Sequence, residues 1–305
     1  MIIDFKKYYY KLFDIKKYKF LKSKNQIEKN TEIFKKDYEK IIYDILERIK
    51  KKKKLNFLHS GHCGDLVYAL PMVKELSKTH ECNFYIKSNK LMPLPYYKHP
   101  AGNVFIDDRI LKLFLPILRH QKYINVAEKF DNQEIDIDLD LFRKLPVNIF
   151  FNSPRWYFHI CGIQVDLAKP YLDVPAHPTM INKIVIHRTF RYRNNFSNYK
   201  FLSSYGEIIF VGIEEEYKDL KKDIPNLILY DCKDYLEMAS IIKSCRFFIG
   251  NQSIAYPIAE ALKVPRILEA CPHFPVVQPV GDDAFDFYYQ PHFEKWCNYL
   301  NNKYK

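Results

Sequence analysis

The chain has 305 residues, with 48 Lys or Arg against 36 Asp or Glu, a formal charge of +12 and 48% apolar residues. That length and apolar share give ample core for one large domain or two ordinary ones and exclude a disordered chain. No run of about twenty apolar residues occurs, so no helical segment spans a membrane, and the first residues carry no secretory signal.

Residues 1–54 hold 18 Lys and Arg against 8 Asp and Glu, a balance of +10, so the body after them is nearly neutral. Basicity therefore belongs to an N-terminal extension. Ile33, Phe34, Tyr38, Ile41, Ile42, Ile45, Leu46 and Ile49 keep a helical spacing that predicts a helix over 31–50. The stretch before it carries Tyr8, Tyr9, Tyr10, Leu12, Phe13, Tyr18, Phe20 and Leu21 among lysines. It reads either as a basic amphipathic helix at an anionic membrane surface or as a helix packed on the body with a solvated Lys face. The run Arg48–Lys54 fits a nucleic-acid patch or a Lys-rich linker equally.

Leu55–Leu58 is the first predicted strand of the body, followed by the small-residue loop His59-Ser-Gly-His-Cys-Gly-Asp65. A helix bearing Leu66, Val67, Leu70, Val73 and Leu76 comes next, with Asp65 at its start, where a carboxylate is a favourable cap. Asn83–Lys87 reads as a strand, Met92–Pro100 with its three prolines as a loop, and Ile110–Leu118 as a helix that Pro116 interrupts. In Ile135–Asp140 strict alternation puts Asp136, Asp138 and Asp140 on one face. They could form a metal-binding carboxylate cluster, but a half-exposed strand accounts for the alternation. The aromatic stretch Asn152–Ile163 reads as a helix ending at Gly162.

Leu172–Pro178, with two prolines and no periodicity, reads as an interdomain linker. Beyond it come predicted strands at Lys183–His187, Glu207–Val211 (closed by Gly212) and Asn226–Tyr230, with helices at Glu214–Lys222 and Asp234–Ser244. Arg188–Arg193 is a basic loop. The series culminates in Arg246–Ala270, around which the rest is organised: a buried strand, the polar turn Gly250–Ser253, a helix with Ile254, Ile258, Ala261 and Leu262 on one stripe, and a strand at Val264–Leu268. Pro257 is tolerable because it lies in the first helical turn. Such a turn offers a helix N-terminus to a phosphate, although any well-capped helix of an α/β domain has the same form. The expected divisions are a basic helical extension (1–54), an N-terminal Rossmann-like domain (55–172), a C-terminal one (173–280) and a helical tail (281–305). The seven cysteines are scattered, with no C-x-x-C, which argues for reduced thiols. Cys63, beside His62, has no recognisable nucleophile constellation around it.

Three stretches carry a resemblance. Gly64-Asp-Leu-Val-Tyr-Ala-Leu-Pro71, Asp234–Asn251 and Ile258-Ala-Glu-Ala-Leu-Lys-Val-Pro265 resemble the signatures of glycosyltransferase family 9, the ADP-heptose:lipopolysaccharide heptosyltransferases, in order and over residues 55–280. The resemblance implies an α/β chain of GT-B architecture: two Rossmann-like domains facing a cleft, acceptor on the first and nucleotide-sugar on the second. It implies an inverting, metal-independent transfer with no cofactor beyond the nucleotide-diphosphate sugar. Asp65 would be the base, with His62 as local substitute. Asn251, Gln252, Ser253, Ile254 and Ala255, with Arg188, Arg191 and Gly212, would hold the donor diphosphate, and Glu260 the ribose hydroxyls.

The chain departs from the family in three places. Gln252-Ser-Ile-Ala-Tyr256 replaces Asp-Ser-Gly and a nearby His, His59 replaces a Lys, and the arginines of 188–193 replace Lys-x-Trp-Pro. The donor sugar, heptose in particular, is therefore left open. The expected partners are a nucleotide-sugar and a glycan or glycolipid acceptor of the cell envelope, in the cytoplasm, with contact to an anionic inner membrane through residues 1–22. Nucleic acid is not expected, because the body is nearly neutral. A non-catalytic binding or scaffold protein of the same fold, and a sugar-nucleotide 2-epimerase, are the competing readings.

Overall fold

The computed structural model describes residues 5–94, 99–146 and 152–305. Residues 1–4 of the extension and 95–98 of the proline-rich loop lie outside the described residues. The extension is helical nearly throughout: α1 (Phe5–Phe13), α2 (Ile15–Ile33) and α3 (Glu39–Lys51), with a π-helical stretch, Phe34–Tyr38, joining the last two. Asp14 accepts from the Lys17 amide at 3.0 Å and caps α2. The arm meets the body at Tyr38 and along α3, where Ile45 is buried and the Arg48 guanidinium donates to the Asp136 carbonyl at 2.8 Å.

The first half of the body is a parallel sheet ordered β3-β2-β1-β4, from β1 (Lys54–His59), β2 (Glu81–Ile86), β3 (Val126–Lys129) and β4 (Ile137–Asp138). α4 (Cys63–Leu76), α5 (Asp108–Arg119) and α6 (Pro154–Cys161) cover it. Pro116 does not interrupt α5, because the bond it forfeits is to Lys112 on the exposed side. The half-exposed aspartate face is not found. β4 is two residues long, Asp136 and Asp140 are buried, and each is held by cations: Asp136 by Lys52, Asp140 by Lys90 and Arg143.

The second half is a six-stranded parallel sheet ordered β10-β9-β8-β5-β6-β7. Its strands are β5 (Ile184–His187), β6 (Ile208–Val211), β7 (Leu227–Tyr230), β8 (Phe247–Asn251), β9 (Arg266–Glu269) and β10 (Ala284–Phe287). The helices are α7 (Glu214–Leu220), α8 (Tyr235–Lys243), α9 (Ala255–Leu262) and α10 (Gln290–Lys303). Residues 281–305 are therefore not a tail. β10 pairs with β9, and Phe293, Cys297 and Leu300 of α10 are buried against the outer face of the sheet.

Strand alternation sorts the second sheet into two cores. Ile184, Ile186, Phe247 and Ile249 face the outer cluster with Phe287 and Phe293. Val185, Ile209 and Phe248 face a cluster that runs through α8 and α9 into Leu66, Leu70 and Phe57 of the first half. The linker is anchored rather than free: the Tyr171 and Leu172 amides bond to the Ala261 carbonyl at 3.0 and 3.3 Å, and the Asp173 amide to Gln121 Oε1 at 2.9 Å. Where α4 meets α9, a Cβ on Gly64 would lie 3.3 Å from Pro257 Cγ, so only glycine lets the two helices come this close without adjustment.

Candidate functional site

The carboxyl ends of β1, β5 and β8 point into one crevice between the halves, the position where open parallel sheets bind ligands. A cavity of about 280 Å³ lies there. Its wall in the first half includes His62, Cys63, Gly64, His99 and Arg109; its wall in the second includes His187, Arg191, Gly212, Glu216, Asp234, Tyr235, Ser253 and Ile254. A smaller cavity of about 80 Å³ adjoins it, lined by Asp65, Tyr68, Ser153, Trp156 and Gln252. His62, Gly64, Arg191, Ser253 and Ile254 line both, so they form the partition.

Asp65 sits in the first turn of α4 and its Oδ2 accepts from the His62 amide at 3.2 Å. The same oxygen accepts from Arg143 Nη2 at 2.6 Å, and Arg143 Nη1 reaches Asp140 at 2.7 Å. Among the described residues no hydrogen bond to Asp65 Oδ1 is found, and Asp65 lines the smaller cavity. Beneath it, His59 Nδ1 accepts from the Gly61 amide (2.9 Å), so Nε2 carries the proton and donates to Tyr157 Oη (2.8 Å). Tyr157 in turn donates to the Asp65 carbonyl at 3.0 Å. Burial pushes His59 down to about 4, and the ring is a neutral support for the loop.

The imidazoles facing the larger cavity are neutral as well. Burial, with Arg191 adding to it, lowers His62 and His99 to about 3. His187 is lowered to about 4 by burial. Its Nδ1 bonds to the Val211 carbonyl at 2.6 Å, so Nε2 is a buried acceptor with no partner among the described residues. Gly212 leaves the room for this ring: a Cβ there would lie 3.2 Å from His187 Nδ1 and 2.8 Å from the Phe210 ring. Glu216 is 4% exposed, and burial pushes its carboxyl up to about 7 although Oε1 accepts from the Phe190 amide at 3.2 Å. Burial raises the Cys63 thiol far above its ordinary value, which leaves it an inert wall residue.

Two expected donor contacts are corrected. Arg188 does not face the crevice: its guanidinium forms a two-pronged pair with Glu269 (2.7 and 2.9 Å) and stacks on Tyr199, because a buried carboxylate at the end of β9 demands a cation. Glu260 is 3% exposed and bonded to Arg266 Nε at 2.6 Å and to Lys263, so it is committed inside the protein and not to a ribose. Ala255 is buried and lines neither cavity. Asn251 acts at one remove by holding the loop that carries Arg191, while Ser253, Ile254 and Gln252 do reach the cavities.

Sequence reasoning missed His187, Glu216, Asp231, Asp234 and Tyr235. The signal was present for the first two: His187 ends the first strand of the second half, and Glu216 follows a strand–Gly–helix junction, both at the carboxyl edge already singled out for Ser253.

No family model and no curated protein matches this sequence. Solved structures do match in shape. A family 9 glycosyltransferase from Veillonella parvula superposes over 77% of this chain and 85% of its own, at 10% identity and a TM-score of 0.53. The ADP-heptose lipopolysaccharide heptosyltransferase II of E. coli does so over 82% and 99%, at 10% identity and 0.52. The E. coli heptosyltransferase WaaC with ADP covers the same shares at 10% identity and 0.50. The chain thus has the GT-B-like fold of family 9 glycosyltransferases, as the resemblance implied.

Proposed function

We propose that this protein is a glycosyltransferase that moves a sugar from a nucleotide-diphosphate sugar to a hydroxyl of a glycan or glycolipid, with inversion. The observation that carries the reading is the pair of cavities at the crevice of a GT-B-like fold, with Arg191 and the start of α9 in the wall between them. The larger cavity takes the nucleotide. Glu216 accepts from ribose hydroxyls, His187 Nε2 accepts from a donor on the nucleoside, and Arg109 faces them across the cavity. Arg191 and the Ile254 amide, at the N-cap of α9, neutralise the diphosphate in the manner of a cation. The acceptor hydroxyl enters the smaller cavity beside Asp65.

The acceptor oxygen bonds to the anomeric carbon from the face opposite the diphosphate, and its proton passes to Asp65 Oδ1. The bond from the anomeric carbon to the phosphate oxygen breaks, its electron pair leaving with the nucleoside diphosphate. Arg143 and the His62 amide hold Oδ2, so the carboxylate is aimed by both. The Asp65–Arg143 pair also favours a second reading, a nucleotide-binding protein without turnover, since it commits one carboxylate oxygen inside the protein. Function on envelope glycans at the inner face of a membrane follows from the first reading.

Thermal unfolding in the presence of ADP, UDP, GDP and CMP and their sugars tests the proposal. One nucleotide at about a hundred times its Kd should stabilise the fold by about 2.7 kcal/mol. Glu216→Gln and Arg191→Ala should each blunt the shift. No response to any nucleotide would overturn both readings, and binding without sugar transfer would leave the second.

A further inference from the structure

We propose that α1 and the start of α2 dock on an anionic lipid bilayer surface and hold the body against it. The inference is independent of the transferase reading. Tyr8, Tyr9, Leu12 and Phe13 form a stripe on α1, and they are 61%, 58%, 77% and 74% exposed. None of the 19 residues of α2, which span about 28 Å, is buried, and Ile45 of α3 is the first buried side chain of the arm among the described residues.

The charges beside the stripe select the occupant. Lys11, Lys16, Lys17, Lys19, Lys22 and Lys24 are all exposed, against Asp14 as the acidic residue between positions 8 and 27. Large apolar and tyrosine side chains on one short helix, with exposed ammonium groups flanking them, match an interface with apolar depth and a negative surface. A second copy would bring the two sets of lysines together. A nucleic acid would satisfy the lysines and leave Leu12 and Phe13 in water.

The test is co-sedimentation of the full chain with phosphatidylcholine vesicles, with and without phosphatidylserine, at low and high salt. Binding should be about tenfold or more stronger on the phosphatidylserine vesicles and weaken at high salt. Leu12→Ser with Phe13→Ser should lower it about tenfold on the same vesicles; both side chains are exposed, so the fold is unaffected. Lys16→Glu with Lys17→Glu and Lys19→Glu should abolish it. Failure of the full chain to bind anionic vesicles at low salt overturns the proposal. So does equal binding to neutral vesicles, or a Leu12/Phe13 variant whose only effect is to dissolve a lipid-free dimer.

Discussion

The side-chain amide of Asn251 donates to the main-chain carbonyl of Arg191 at 2.7 Å, so the arginine of the crevice hangs from the last residue of β8. The same amide reaches the Thr189 carbonyl at 3.0 Å, and its oxygen accepts from the Thr189 amide at 3.2 Å. Every polar atom of this fully buried side chain is spent on one loop. Asn251→Asp removes both donors and sets a charge against two carbonyls. It should cost about 1–3 kcal/mol of stability and weaken nucleoside diphosphate binding about 10- to 100-fold. Calorimetric titration checks this, and an unchanged Kd would mean the loop does not position Arg191.

Two of the three arginines of that loop, Arg188 and Arg191, should behave oppositely. Arg188→Ala strands the buried Glu269 carboxylate and should cost about 3–5 kcal/mol, with nucleotide affinity of the folded fraction little changed. Arg191→Ala should weaken nucleotide binding by about tenfold or more. The reverse result would show that the donor side is built on Arg188 after all.

For the chemical step, Asp65→Asn should lower turnover by about 10²- to 10⁴-fold while nucleotide affinity survives. Transfer should persist in excess EDTA, because Arg191 and the Ile254 amide supply the positive charge. An Asp65→Asn enzyme with near-normal turnover would move the base elsewhere, with His62 the nearest group.

Glu216 links pH to stability. Its folded carboxyl titrates at about 7 instead of 4.5, so between those values the unfolded chain has already lost the proton that the folded one keeps. Stability therefore falls as pH rises from about 4.5 to 7 and the loss is complete above, at most about 3 kcal/mol. Glu216→Gln should match the parent at pH 5 and exceed it at pH 8 in thermal unfolding. A parallel pair of pH profiles would show that the carboxyl titrates normally.

Apolar runs and their punctuation made the two parallel sheets and the crevice readable, because a buried strand must be apolar on both faces. Asp65, Ser253 and Arg191 could be placed for the same reason: each follows a legible strand. Arg188 and Glu260 could not. Their partners, Glu269 and Arg266, lie on β9, and nothing local distinguishes a solvated charge from one paired across a sheet. The strands β3 (Val-Ala-Glu-Lys) and β10 (Ala-Phe-Asp-Phe) escaped notice because, unlike the equally short β5 and β6, neither is a buried apolar run. Asp136 and Asp140 misled because alternation marks which residues share a face, not whether cations lie above it.

The apolar cluster running from Phe57 through α4 and α9 to Phe248 bears on how the molecule comes apart. Two lobes that share an interior cannot melt one after the other without exposing the face they have in common. Heating should accordingly give one calorimetric peak whose van't Hoff and measured enthalpies agree.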